Sequence, residues 1–320
     1  MPSLICVSRG AAAVALLTVL SGCITINLMP SPGPLREDEV GGAGASKILL
    51  IDLAGVISSS EEDGAFVEHP SMLARMKEEL TRAAKDPDIK ALVLRINSPG
   101  GTVTASDILY HELRSFRSKR KIPIVASILD VGASGGYYVA AAADKIIAHP
   151  SSVTGSVGVI MLTVNAGGLM EKIGVHASAI ASGPKKDMGS PFRPMTQEER
   201  AIFQSVIDFF YERFLSVVKE GRPNLSPEGI RKLADGRIYS GEQAKALGMV
   251  DAIGYLDDAI DLAKNQAGLS EARIVTYRRA GEYRNNIYSR LLGGAGGWAN
   301  LDLGTLVRGK TPQFMYLWMP

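Results

Sequence analysis

Two glycine-rich loops, each closing an apolar run of strand character, constrain this chain more than any other feature. The first, Asn97-Ser98-Pro99-Gly100-Gly101, follows Ala91-Leu92-Val93-Leu94-Arg95-Ile96. The second, Gly132-Ala133-Ser134-Gly135-Gly136, follows Ile124-Val125-Ala126-Ser127-Ile128-Leu129. Strands this apolar are buried on both faces, as in parallel sheets covered by helices. The flanking sequence agrees. Strands are expected at 47–57, 91–96, 122–129, 145–148 and 175–181. Helices are expected at 71–85, with Leu73, Met76, Leu80 and Ala83 on one stripe, at 105–117 and at 134–143. The capping-box pattern Thr196-Gln197-Glu198-Glu199 opens a long helix to about 220, with Ile202, Val206, Phe209, Phe210 and Val217 at helical spacing. Shorter helices follow at 227–234 and 241–247. Repeated strand–helix units make the fold class α/β.

The loops carry the chemistry. Ser134 stands on a tight turn where a nucleophile is exposed to attack a carbonyl, and glycine N–H groups suit a developing oxyanion because nothing on Cα blocks approach. Gly132-x-Ser134-x-Gly136 also fits the nucleophile elbow of α/β-hydrolases, which needs a histidine later in the chain. Only His149 and His176 follow Ser134, and both read as polar strand-end residues. A lysine is the other candidate base, since desolvation can neutralise it and Ser–Lys pairs replace the triad in some peptidases. Lys185-Lys186-Asp187 lies in a Gly/Pro/Ser-rich loop after an apolar run. Alone, such a pair also reads as a solvated loop face, so the residues leave the base open.

The chain's N-terminus points to a membrane. Residues 11–20 form an apolar run of about ten residues, the length of a signal-peptide core and short for a span. It ends in Leu20-Ser21-Gly22-Cys23, similar to a bacterial lipobox with Cys23 as the lipidated residue; an uncleaved anchor helix is the alternative. The two cysteines, Cys6 and Cys23, both lie here, so the body beyond has neither disulfides nor thiolate metal sites. A net charge of +2 gives no nucleic-acid surface. The expected organisation is a leader at 1–22, a flexible tether at 23–46, a catalytic body at 47–265 and a C-terminal extension at 266–320. The extension carries a flexible glycine stretch at 293–297 and an apolar end. Residues 316–320 either dock in an apolar substrate groove or pack as an assembly segment.

Several motifs occur in a fixed order. Asn97 to Gly101 is followed by Ser134-Gly135-Gly136-Tyr137-Tyr138, Thr154-Gly155-Ser156-Val157-Gly158-Val159 and Lys186-Asp187-x-x-Ser190-Pro191. Gly236-Arg237-x-x-x-Gly241-x-x-Ala244 and Leu247-Gly248-x-Val250-Asp251 come after. This set resembles the signal peptide peptidase A family of Ser–Lys peptidases over residues 47–254. The resemblance implies a ClpP/crotonase-like fold with a C-terminal helical extension. It makes Ser134 the nucleophile, Lys186 (and not Lys185) the base, and Ser156 the serine that orients the lysine. Gly101 and Gly135 match the oxyanion region, with Gly100 a near alternative; Asp187 fixes the loop. It further implies no metal or cofactor, polypeptide substrates, a homo-oligomer, and a site in the bacterial cell envelope outside the cytoplasm. The competing readings are a crotonase-like acyl-CoA enzyme, which would not need Ser134, and an inactive membrane scaffold.

Overall fold

The apolar runs become the centre of a sheet covered on both faces. The computed structural model describes residues 33–60, 62–63, 68–279, 286–288 and 313–319; the leader, Cys23 and the glycine stretch lie outside them. In chain order the elements are β1 (Arg36–Gly42), β2 (Lys47–Ala54), the short pair β3 (Glu62–Asp63) and β4 (Glu68–His69), α1 (Met72–Lys85), β5 (Ile89–Ser98), β6 (Gly100–Thr102), α2 (Val103–Arg120), β7 (Ile124–Ala133) and α3 (Gly135–Ala140). Then come β8 (Lys145–Ala148), β9 (Val153–Gly155), β10 (Ile160–Met161), α4 (Gly167–Lys172), α5 (Gln197–Gly221), α6 (Pro227–Leu233), β11 (Ile238–Ser240), α7 (Gly241–Ala246), β12 (Ala252–Ile253), α8 (Leu256–Gln266), β13 (Arg273–Arg278) and β14 (Phe314–Leu317).

The main sheet runs β1-β13-β2-β5-β7-β8-β12, with β9 beside the end of β7 and β11 beside β9. Its middle strands are parallel. Alternation along β2 shows why both faces are apolar. Leu49, Ile51 and Leu53 pack into one core with Met76 and Leu80 of α1 and Leu109 and Leu113 of α2. Ile48 and Leu50 enter the other core, beneath Leu256, Ala259 and Ile260 of α8. At the centre, Asp52 of β2 faces Arg95 of β5 in register and pairs with it at 2.6 Å, with side chains 4% and 1% exposed. Helix starts follow the expected chemistry: Ser71 caps α1, and Thr196 with Glu199 forms the capping box of α5.

Three expectations are corrected. The tether read over 23–46 contains β1, which pairs antiparallel with β13. Ion pairs hold this polar strand rather than an apolar period: Glu37 meets Lys47 at 2.7 Å, and Asp38 meets Arg278. The body does not stop at 265, because β13 lies inside the main sheet next to β2. Residues 175–181 form no strand; they are irregular and exposed, since an apolar run without a sheet edge to join has no ladder to complete. On α5 the buried face is Phe214, Leu215, Val217 and Val218, while Phe209 is exposed. Among the described residues no helix is long and apolar enough to cross a membrane.

Candidate active site

Ser134 sits where β7 turns into α3. Its neighbour Ala133 is in register with Gly155 of β9, and the Ser134 N–H donates to the Gly155 carbonyl at 2.7 Å. Ser134 then adopts φ 51°, ψ −116°, and its own carbonyl accepts from the Tyr138 N–H at 2.9 Å. A positive φ costs a non-glycine residue about 1–3 kcal/mol, so the surroundings must impose it. They do so through close packing of the helix start on β5: a Cβ added to Gly136 would lie 2.6 Å from the Ser98 carbonyl oxygen. Ser134 is 1% exposed.

The two glycine loops meet beside it. Gly100 has φ +100°, and a Cβ there would stand 2.0 Å from the Tyr316 carbonyl oxygen and 2.6 Å from the Gly135 nitrogen. A Cβ on Gly135 would meet the Ser106 hydroxyl at 2.5 Å and the Gly100 Cα at 3.1 Å. The parallel register that sets Ser98 opposite Gly132 brings these loops together. The Gly100 N–H is already used, donating to the Ser98 hydroxyl at 3.1 Å. Gly135 is the first residue of α3, where an N–H has no partner within the helix. Gly101 is wedged against Ile57, whose carbonyl oxygen would lie 1.9 Å from an added Cβ.

Ser156 leaves β9 as Ser134 leaves β7. Its φ is 50°, its N–H donates to the Arg237 carbonyl at 2.7 Å, and it is buried. It lines a cavity of about 370 Å³ with Ile160, Gln204, Tyr211 and Leu317 among the walls. Ser134, Ser156, Gly100, Gly101 and Gly135 are thus brought into one neighbourhood by adjacent strand ends.

Lys186 is not. It lies exposed on the loop 183–190, with its N–H donating to the Gly183 carbonyl at 3.1 Å. Among the described residues no hydrogen bond joins its side chain to Ser134 or Ser156. Lys185 is engaged with Glu198. Arg193 holds Asp187 through two bonds of 2.8 Å and also binds Glu199. Arg193 holds the Asp187 carboxyl below the usual range and pulls that of Glu199 down to about 2. Around this loop, Val164, Leu169, Ile173, Ile180 and Phe192 expose large apolar side chains.

Neither histidine is placed as a base for Ser134. The His149 ring contacts the Ser151 hydroxyl at 2.8 Å and stands edge-on to Tyr255, and His176 is exposed. Among the described residues no group of three or more His, Cys, Asp or Glu side chains is gathered as a metal site would need. Sequence reasoning missed Ser98, Ser106 and β10, which border the site, and the Arg193–Glu199 clamp. A capping-box glutamate followed from the helix pattern, but its second partnership with Arg193 has no sequence signature.

Known proteins resemble this chain. The model of Peptidase family S49 matches residues 116–270. "Putative signal peptide peptidase SppA" of Enterococcus faecium is 38% identical over 241 residues, covering 74% of this chain and 68% of that protein. Protease 4 of Salmonella typhi is 35% identical over 231 residues, covering 72% of this chain and 36% of that protein. Among solved structures, a ClpP1 variant of Listeria monocytogenes matches with a TM-score of 0.43 at 18% identity, covering 66% of this chain and 94% of that one. The chain belongs to peptidase family S49 and is a serine peptidase.

Proposed function

We propose that this S49 peptidase is a membrane-tethered endopeptidase that cuts signal-peptide remnants and other unfolded or membrane-associated polypeptides through Ser134 and Lys186. The observation that carries the reading is the meeting of the two glycine loops at Ser134: a strained serine with Gly100 and Gly135 pressed together beside it. A relative named as a signal peptide peptidase supports the substrate class. Cys23 in its lipobox context supports the tether.

In this mechanism Lys186, in its neutral form, removes the Ser134 hydroxyl proton as Oγ attacks the peptide carbonyl. The Gly135 N–H, with the facing 100–101 loop, holds the oxyanion. The Lys186 ammonium then gives its proton to the leaving amine, and a water molecule attacks the acyl-enzyme with Lys186 again as base. Ser156 accepts from the lysine and aims it.

Lys186 becomes part of the site on assembly. The apolar side chains exposed around it need cover, and a neighbouring copy of the chain supplies it. Docking of this segment buries the lysine, which favours the neutral amine a base requires, and carries it to a Ser134.

The test is cleavage of an unfolded, signal-peptide-like polypeptide, followed by mass spectrometry. Wild type should cut, while Ser134→Ala and Lys186→Ala should be folded and inactive. Cleavage by Ser134→Ala at the wild-type rate would remove the serine from the mechanism.

A further inference from the structure

The end of the main sheet opposite Ser134 carries a second cavity. The parallel strands begin there, at Lys47, Ile89, Ile124 and Lys145, whereas Ser134 follows the far end of β7. The cavity measures about 650 Å³. Arg114, Arg117 and Ser118 line it from α2, and Lys121 lines it from the C-cap of that helix. Their spacing in sequence puts them on one stripe.

Cations at a helix C-terminus are favoured by the helix dipole, which accounts for their charge but not for this stripe. Arg120, on another face, closes the end of α1 by donating to the Ala83, Ala84, Asp86 and Ile89 carbonyls. The stripe has no such task. Arg114 is half-buried and Lys121 exposed, and neither side chain has a hydrogen bond or ion pair among the described residues. Arg117 pairs with Asp144, the acidic residue of the lining, whose carboxylate also accepts from the Ile124 N–H at 2.9 Å. Three cations thus face one carboxylate, an excess of two positive charges. Like charges at helical spacing repel, and a bound anion relieves that repulsion. The floor is apolar, made by Ile122 and Pro123, and the Pro123 carbonyl fixes it to β5 by accepting from the Leu92 N–H at 3.0 Å.

We propose that this cavity binds a soluble phosphate monoester. Arg114 and Lys121 hold the phosphate beside the Arg117–Asp144 pair, and the organic group rests on Ile122 and Pro123. A phosphate monoester carries about −1.5 to −2 charges at pH 7, which matches the excess better than a single carboxylate does. Guanidinium and ammonium groups supply the charged hydrogen bonds that phosphate oxygens take. Ligand and peptide substrate are distinct, because the cavity and Ser134 lie at opposite ends of β7. The source of the phosphate follows from β1, which begins at Arg36 opposite Arg278, the last residue of β13. The chain therefore enters the body at the Ser134 end, and the tether proposed above draws that end, not the cavity, toward a membrane. The choice of a soluble ligand over a lipid headgroup rests on that tether; the site itself does not.

The experiment titrates the full chain with adenosine monophosphate by calorimetry at low salt, with adenosine as the uncharged control. The monophosphate should bind saturably and adenosine should not. Arg114→Gln and Lys121→Gln should each weaken binding at least about tenfold, the scale of one charged hydrogen bond. Lys119→Gln removes the same charge from outside the lining and should leave binding unchanged, as should Ser134→Ala. Absence of saturable binding, or equal weakening by Lys119→Gln, would overturn the site, and loss of binding in folded Ser134→Ala would overturn its separation from the nucleophile. Lys121 is exposed, so its variant keeps the test open should Arg114→Gln fail to fold. Vesicles of phosphatidylglycerol distinguish the sources. Wild type and the Arg114→Gln, Lys121→Gln double variant should bind them alike, and a loss confined to the double variant would overturn the soluble ligand in favour of a lipid headgroup.

Discussion

The nucleophile and its proposed base are held in opposite ways. Ser134 is pinned by a parallel register, a backbone hydrogen bond to Gly155 and glycine contacts that admit no Cβ. Lys186 rides on an exposed loop whose firm attachment is the Arg193 clamp on Asp187 and Glu199, among apolar side chains left open to solvent. The serine half is a product of the monomer's core. On the proposed reading the lysine half waits for assembly, so an isolated chain holds a strained nucleophile without the group that activates it.

Perturbations of the two halves should therefore differ in kind. The largest effect is expected at the buried pair under the serine half. Asp52→Ala takes the carboxylate away from the buried Arg95 guanidinium at the centre of the sheet and should cost about 3–5 kcal/mol in urea unfolding; a loss below about 1 kcal/mol would show that the pair does not hold the strands. Next, Gly100→Ala drives a methyl into the Tyr316 carbonyl and the Gly135 nitrogen. It should lower kcat/KM by about 10²–10³, the scale of losing an oxyanion donor, with a smaller effect on secondary structure by circular dichroism. Arg193→Ala should weigh on activity more than on stability. Arg193 is 34% exposed but the Glu199 carboxylate it binds is 2% exposed, so the melting temperature should fall, though less than in Asp52→Ala, while cleavage falls severalfold as the Lys186 loop loses its anchor. An unchanged cleavage rate would separate the clamp from the base.

The smallest effect is a pH response of the same clamp. The Glu199 carboxyl is held at about 2 against an ordinary 4.5. A depressed carboxylate stabilises the fold above its unfolded value, and that contribution is lost as pH falls through the folded one. Hydrogen exchange in residues 183–193 should stay slow down to about pH 4.5 and quicken as pH drops toward about 2. Quickening near pH 6 instead would assign the anchor to another group.

The same contrast explains what could be read from the sequence. β2, β5 and β7 were legible because burial on two faces leaves an uninterrupted apolar run, and the glycine loops were legible because a left-handed or crowded backbone demands glycine. Their meeting was not, since it depends on β5 lying beside β7 in a particular register. β1 escaped because it has no apolar period and its place is set by pairing with β13, whose Arg278 binds Asp38 from the far end of the sequence. The apolar end at 314–319 was visible, but its seat between β6 and β10 joins residues more than one hundred and fifty positions apart. Residues 175–181 misled because their apolar content joins no sheet edge among the described residues.

Specific cleavage activity measured across a dilution series, with light scattering of the same samples, tests the central claim most directly. The account predicts that wild-type activity per chain falls as assemblies dissociate, and that Lys186→Ala is inactive at every concentration. Full activity in a dissociated monomer would show that Lys186 reaches Ser134 without a partner, or that another group is the base.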